Sequence, residues 1–269
     1  MDETSCREWI CEIGRRMYDK DLVAANEGNL SIRIDNRLLA TPTGVCKGFL
    51  KPEDLVVTDL EGKQISGDMK VSTEILMHVV VYKHRQDVTA ICHGHPTYAT
   101  AHAVAGIPLT EALMPEVVVT LGCVPVAPYG TPSTQELADS LVDLVPNYDA
   151  ILLANHGAIT YGTDLEQAFF KIEILEHFAK INILTRTLGE PTLLSREAVD
   201  KLFAVREKYG ITAPEFRQLG CPVTAEDELE TVTLSRSELE ELLEKVVLEV
   251  EKGGKAWISN SKNLLKNLK

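Results

Sequence analysis

The chain has 269 residues, a formal net charge of −13 and 45% hydrophobic content. That length and apolar fraction support one large folded domain with an appendage, and an acidic balance without a basic stripe excludes nucleic acid as the expected partner. No apolar run reaches the roughly 18 residues of a membrane helix, and no charged-then-apolar leader follows Met1, so a cytoplasmic chain without span or signal peptide is expected.

Trp9, Ile10, Ile13 and Met17 recur on one side of an opening helix over residues 4–22, which Asn26-Glu27-Gly28-Asn29 breaks. Residues 30–34 alternate as a strand, Asp35-Asn36 turns, and 37–41 return as an antiparallel hairpin. Residues 55–59 and 63–65 around Glu61-Gly62 repeat that pattern. Residues 72–85 have helical spacing with a Ser-Thr-Glu start, which puts Glu74 in the first turn. A buried strand over 88–92 leads into His93 and His95, and a helix follows near 97–104. Ser133 and Glu136 form a capping box for a helix running to Val145. A second apolar strand over 150–154 delivers His156, and 164–188 is a long helix stopped by Gly189 and Pro191. Hairpins mixed with long helices predict an α/β sandwich around a mainly antiparallel sheet.

Beyond residue 211, Pro214, Pro222 and the acidic 226–230 run predict a linker over 212–233. Ser235 and Glu238 then cap an amphipathic helix whose stripe is Leu239, Leu242, Leu243, Val246, Val247 and Val250, inside an extension over 234–269.

The chemistry-bearing residues cluster in short motifs. Side chains two apart on a strand share a face, so His93 and His95 in His93-Gly94-His95 can grip one ion, and His156 in Asn155-His156-Gly157 supplies a third imidazole. Three nitrogens with an open fourth position are the donor set of catalytic zinc. A histidine by itself is more often a surface or capping residue, and His78, His84, His102 and His177 read that way. Alternation puts Cys92 with Gly94 on the opposite face from the two ligands. The six cysteines have no disulfide or metal rhythm and read as buried thiols of a reducing compartment. Gly28-Asn29, Thr41-Pro42-Thr43-Gly44 and Ser72-Thr73 are small-residue loops beside element ends that can cradle a phosphate, although ordinary turn chemistry explains each one singly. Glu74 likewise has a plain alternative, as a solvated carboxylate complementing a helix dipole.

Taken together, Gly28-Asn29-Leu30-Ser31, Thr41-Pro42-Thr43-Gly44, Ser72-Thr73-Glu74 with His78 four later, His93-Gly94-His95-Pro96, Ala127-Pro128-Tyr129 and Asn155-His156-Gly157 resemble the class II aldolase/adducin family over about residues 1–211. The resemblance implies a three-layer α/β/α sandwich and a homotetramer with sites between subunits. It also implies zinc on His93, His95 and His156, Glu74 as catalytic acid/base, and a substrate phosphate held by Gly28, Asn29, Thr43, Gly44, Ser72 and Thr73. His78 would have a structural role on its helix. The implied reaction is retro-aldol cleavage of a (deoxy)ketose 1-phosphate to dihydroxyacetone phosphate and a small aldehyde.

One departure stands out. The family's deoxyketose-phosphate aldolases carry a tyrosine acid after an Ile-Pro pair, whereas residues 107–116 here contain none. Glu116 or Tyr129 would have to replace it, or the substrate differs; Glu116 fits a strand surface position equally well. The family also holds epimerases, a dehydratase, tetronate-phosphate decarboxylases and noncatalytic adducins. An epimerase is the alternative reading, with the dehydratase next, while retention of the histidines and Glu74 disfavours an adducin-like scaffold. The extension packs on its own domain or a neighbouring subunit, or else its 234–250 helix resembles the encapsulation peptides that take enzymes into the lumen of bacterial microcompartments.

Overall fold

The computed structural model describes residues 2–208, so the linker over 212–233 and the extension over 234–269 lie outside the described residues. The opening helix α1 spans Glu3–Asp19, capped by Asp2, whose carboxylate accepts from the Ser5 N–H at 2.9 Å. It stops three residues before the expected end because Asp21 turns left-handed, with φ of 57°. Strands β1 (Asn29–Ile34) and β2 (Arg37–Ala40) form the first hairpin, and β3 (Val56–Thr58) and β4 (Gln64–Ser66) the second. Helix α2 (Ile75–His84), strand β5 (Ala90–Gly94) and helix α3 (Thr97–Ala105) follow in the expected order, with α2 starting later than residue 72 and β5 running on through His93.

Several further elements depart from expectation. Residues around Glu116 form a helix, α4 (Pro115–Thr120), and not a strand; Pro115 sits in its first turn, where a missing N–H is harmless. After the short strand β6 (Val126–Ala127), helix α5 covers only Gln135–Asp139, with turns continuing toward Val145. Its cap is the Thr134 hydroxyl, which accepts from the Glu136 N–H at 3.2 Å, and not Ser133. Strand β7 (Ala150–Leu153) is followed by the unexpected β8 (Gly157–Gly162), every residue of which is buried. That burial on both faces removes the alternation by which a strand is recognised. Helices α6 (Leu165–Leu188) and α7 (Arg196–Lys208) close the described chain.

The strands make one sheet in the order β4-β3-β2-β1-β5-β8-β7-β6, antiparallel throughout except for the β6–β7 edge. Its two faces bury different sets. Ile91, Ile151, Leu153 and Ile159 pack under α2 and α5, while Leu30, Ile32, Ala90 and Cys92 pack under α1 and α6. Ala150, Leu152 and Ala158 continue the second face beneath α3 and α6. The result is the three-layer α/β/α sandwich, with α7 stacked on α4 through Val199, Ala112 and Val118. Cys92 does lie opposite the histidine face. Cys6, Cys11, Cys46 and Cys92 are free thiols, whereas Cys123 is disulfide-bonded, against the all-thiol expectation. Among the described residues no helix is long and apolar enough to cross a membrane.

Candidate active site

Three neighbouring strands at the middle of the sheet position the ligating side chains. Register pairs Asn29 of β1 with His93 of β5, and His93 in turn with Ile159 of β8. His156 lies in the tight turn between β7 and β8, where its N–H donates to Leu153 O at 2.9 Å and Asn155 takes a left-handed φ of 56°. Gly157 is required next. A Cβ there would stand 2.5 Å from Gly94 O and 2.6 Å from the His95 ring.

The three imidazoles form a nearly equilateral triangle, with ring centroids 4.8 to 5.0 Å apart. His93 is fully buried, and its Nδ1–H donates to Ala158 O at 3.0 Å, which leaves the Nε2 lone pair free. His95 Nδ1 lies 3.2 Å from a Glu27 carboxylate oxygen, an acceptor that fixes the same tautomer. Consequently two Nε2 lone pairs face one another at 3.2 Å, an unfavourable contact unless a cation sits between them. Nitrogens sharing a tetrahedral ion at ordinary zinc distances are themselves about 3.4 Å apart, so the observed spacing fits a metal centre. The ligand atoms of His93, His95 and His156 all fall within 4.8 Å of one another.

Glu74 is the cap residue immediately before α2, not inside its first turn as expected, and turns its carboxylate onto this triangle. Its oxygens lie 3.2 Å from His156 Nε2 and 3.4 Å from His93 Nε2. Burial by itself would raise the Glu74 pKa, but its contacts with His156 and His93 outweigh that and hold the carboxyl well below its usual range. Behind it runs a buried relay. The Asn29 side-chain amide donates to Glu74 at 2.8 Å, so its carbonyl must accept from His78 Nε2, 2.5 Å away. His78 Nδ1 then accepts from the Ser31 hydroxyl at 2.6 Å, and the Tyr82 hydroxyl donates to Ser31 Oγ at 2.8 Å. Desolvation pushes the His78 pKa down to about 3, which keeps the ring neutral and the polarity of the relay single-valued. His78 is therefore neither a surface nor a capping residue.

The triangle opens into a cleft of about 350 Å³. Gly28, Asn29, Thr43, Gly44, Ser72 and Thr73 line it together with Glu74, His95 and His156, while His93 lies behind. Neither Glu116, exposed on α4, nor Tyr129, 60% exposed, lines the cleft. Among the cleft residues not legible as such are Glu27, Lys47 and Ser133. Ser133 has the signal of a helix cap, but its hydroxyl pairs with Thr73 at 2.7 Å across the cleft mouth and Thr134 caps the helix.

Residues 8–183 match the family described as Class II Aldolase and Adducin N-terminal domain. The chain is 35% identical over 208 residues to a 5-deoxy-D-ribulose 1-phosphate aldolase of Bacillus thuringiensis serovar kurstaki, covering 76% of this chain and 96% of that one. It is 38% identical over 184 residues to a 3-oxo-tetronate 4-phosphate decarboxylase of Pectobacterium atrosepticum, covering 66% and 84%. A solved L-fuculose 1-phosphate aldolase superposes with a TM-score of 0.70 at 33% identity, covering 76% of this chain and 95% of that one. With its histidine triangle, its glutamate and these relatives, the chain belongs to the class II aldolase and adducin family, as an enzyme of the aldolase type.

Proposed function

We propose that the chain cleaves a (deoxy)ketose 1-phosphate to dihydroxyacetone phosphate and a small aldehyde, using a divalent ion, zinc in the first instance, on His93, His95 and His156. The observation that carries this reading is the meeting of three converging imidazoles and an ionised Glu74 at one end of a cleft lined by Gly, Thr, Ser and Asn. An ion held there would act as a Lewis acid toward the substrate carbonyl. As the C3–C4 bond breaks, the C4 hydroxyl loses its proton and C3 gains one. Glu74, a carboxylate at the outset, takes up a proton and returns it at C3. Asn29, locked by the relay through His78, Ser31 and Tyr82, fixes the carboxylate for that transfer. Gly28, Asn29, Thr43, Gly44, Ser72 and Thr73 hold the phosphate and set the distance from it to the reacting carbons. The homotetramer, the cytoplasmic location and docking of residues 234–250 on a microcompartment partner belong to the same proposal and rest on the resemblance.

A second reading is favoured by one observation. Decarboxylation of a 3-oxo sugar-acid phosphate releases carbon dioxide, so no group has to protonate or deprotonate an aldehyde oxygen. Neither Glu116 nor Tyr129 lines the cleft to do so. Metal-loaded protein assayed on ketose 1-phosphates and on 3-oxo-tetronate 4-phosphates separates the two. Dihydroxyacetone phosphate with an aldehyde establishes the first, and dihydroxyacetone phosphate with carbon dioxide the second. Absence of both from every substrate sinks the proposal.

A further inference from the structure

Lys47 is a buried cation that the chemistry above leaves unused. Only 1% of the residue is exposed, yet it lines the cleft beside Thr43, Gly44 and Asn29. It sits in a one-turn 3-10 helix, Lys47–Phe49, pressed against α1 so closely that a Cβ on Gly48 would stand 2.6 Å from the Tyr18 ring. The ammonium donates to Val45 O at 2.6 Å and to Asn26 O at 3.1 Å. It thus joins the loop entering Gly28 to the loop leaving Gly44. Two of its three donors are used, and a third remains.

Among the described residues no carboxylate comes within ion-pair distance of Lys47, in contrast to Lys171 in the same fold. A buried ammonium without a counter-charge is unfavourable unless an anion is supplied. Burial accordingly draws its pKa down to about 8, against the pull of Cys46 and Glu74. Lys47 is also the sole lysine or arginine among the described residues lining the cleft. The neighbouring hydroxyls and amides offer hydrogen bonds to a phosphate but no positive charge.

We propose that Lys47 is the charged member of the phosphate subsite, a built-in cation that waits for the substrate's phosphate and makes the cleft select a dianion. This rests on the phosphorylated-substrate reading and names the residue that enforces it.

The test is calorimetric binding of inorganic phosphate to metal-loaded full-length protein, wild type beside Lys47→Arg, Lys47→Gln and Lys47→Met, with thermal melting and metal content as controls on folding. The expected result is phosphate affinity lower by about tenfold to a hundredfold in the neutral variants, with the arginine variant closer to wild type. KM for a cleaved sugar phosphate rises by more than kcat falls. Folded neutral variants within about twofold of wild type would overturn the assignment, as would wild type that binds no inorganic phosphate. Gln still offers a donor to one of the two carbonyls, so it is read if the Met variant does not fold. Loss of the fold in both makes Lys47 a structural staple and also overturns the assignment. Wild type that binds phosphate yet releases no dihydroxyacetone phosphate breaks the functional reading and leaves Lys47 in place.

Discussion

Arg85, Asp87, Asp149 and Lys171 form one cluster of charge in this molecule, and Glu74 with His93, His95 and His156 forms another. In the first, every charge has its opposite. Arg85 meets Asp87 at 2.7 Å and Asp149 at 2.9 Å, and Lys171 meets Asp149 at 2.7 Å and the Tyr161 carbonyl at 2.9 Å. In the second, two nitrogen lone pairs confront each other at 3.2 Å, and His156 Nδ1 is buried without a hydrogen bond. Balanced charge marks the first as a tie between the end of α2, the start of β7 and α6. The deficit in the second marks a place prepared for something that arrives from outside.

The sharpest break between the clusters is expected from Glu74→Gln. It keeps shape and hydrogen bonding but loses the proton carrier, so product release falls by about 10² to 10⁴-fold while the melting temperature and metal content stay close to wild type. An equal loss of metal would show instead that Glu74 is only a ligand. Asp149→Asn does the reverse. It strands Lys171, leaves Arg85 only the exposed Asp87, and costs about 3 to 5 kcal/mol in urea unfolding, with metal stoichiometry per folded chain unchanged.

His93→Ala and His156→Ala should each abolish stoichiometric metal binding while leaving a folded chain. Chelation should lower the wild-type melting temperature and leave that of the variants unmoved. A chelator effect of the same size in the variants would mean the ion sits elsewhere.

Near neutral pH the smallest effect concerns His78, whose folded pKa of about 3 lies below the ordinary histidine value of 6.5. Between those values the unfolded chain binds a proton that the folded chain refuses. Stability from this group is thus fully present above pH 6.5 and is lost as pH falls toward 3, by up to about 1.4 kcal/mol per pH unit. Subtracting the curve of His78→Gln isolates the slope. Parallel curves for the two proteins would rule out a buried neutral imidazole.

Much of the histidine cluster was legible because its parts are short and local. His93 and His95 share a face by strand period, and Asn155-His156-Gly157 announces its own turn. The relay was not legible: His78 looks like any helix histidine until β1 brings Ser31 and Asn29 against it. Lys47 reads as a solvated loop lysine, because its burial depends on Gly48 meeting Tyr18, some thirty residues away in sequence. The choice of Thr134 over Ser133 as helix cap turns on a backbone angle, φ of 66° at Ser133, which sequence does not display. For α4, the Pro-Glu start is a helix signal and the run of valines behind it a strand signal, so sequence alone leaves the element open.

Gly157 bears on protein engineering as well. Copying three histidines onto adjacent antiparallel strands of another scaffold would carry over the donors without the space they need. The position after the last histidine must hold no side chain at all, since even a methyl group would collide with the neighbouring strand and the second imidazole. A successful transplant therefore has to move a vacancy along with its ligands.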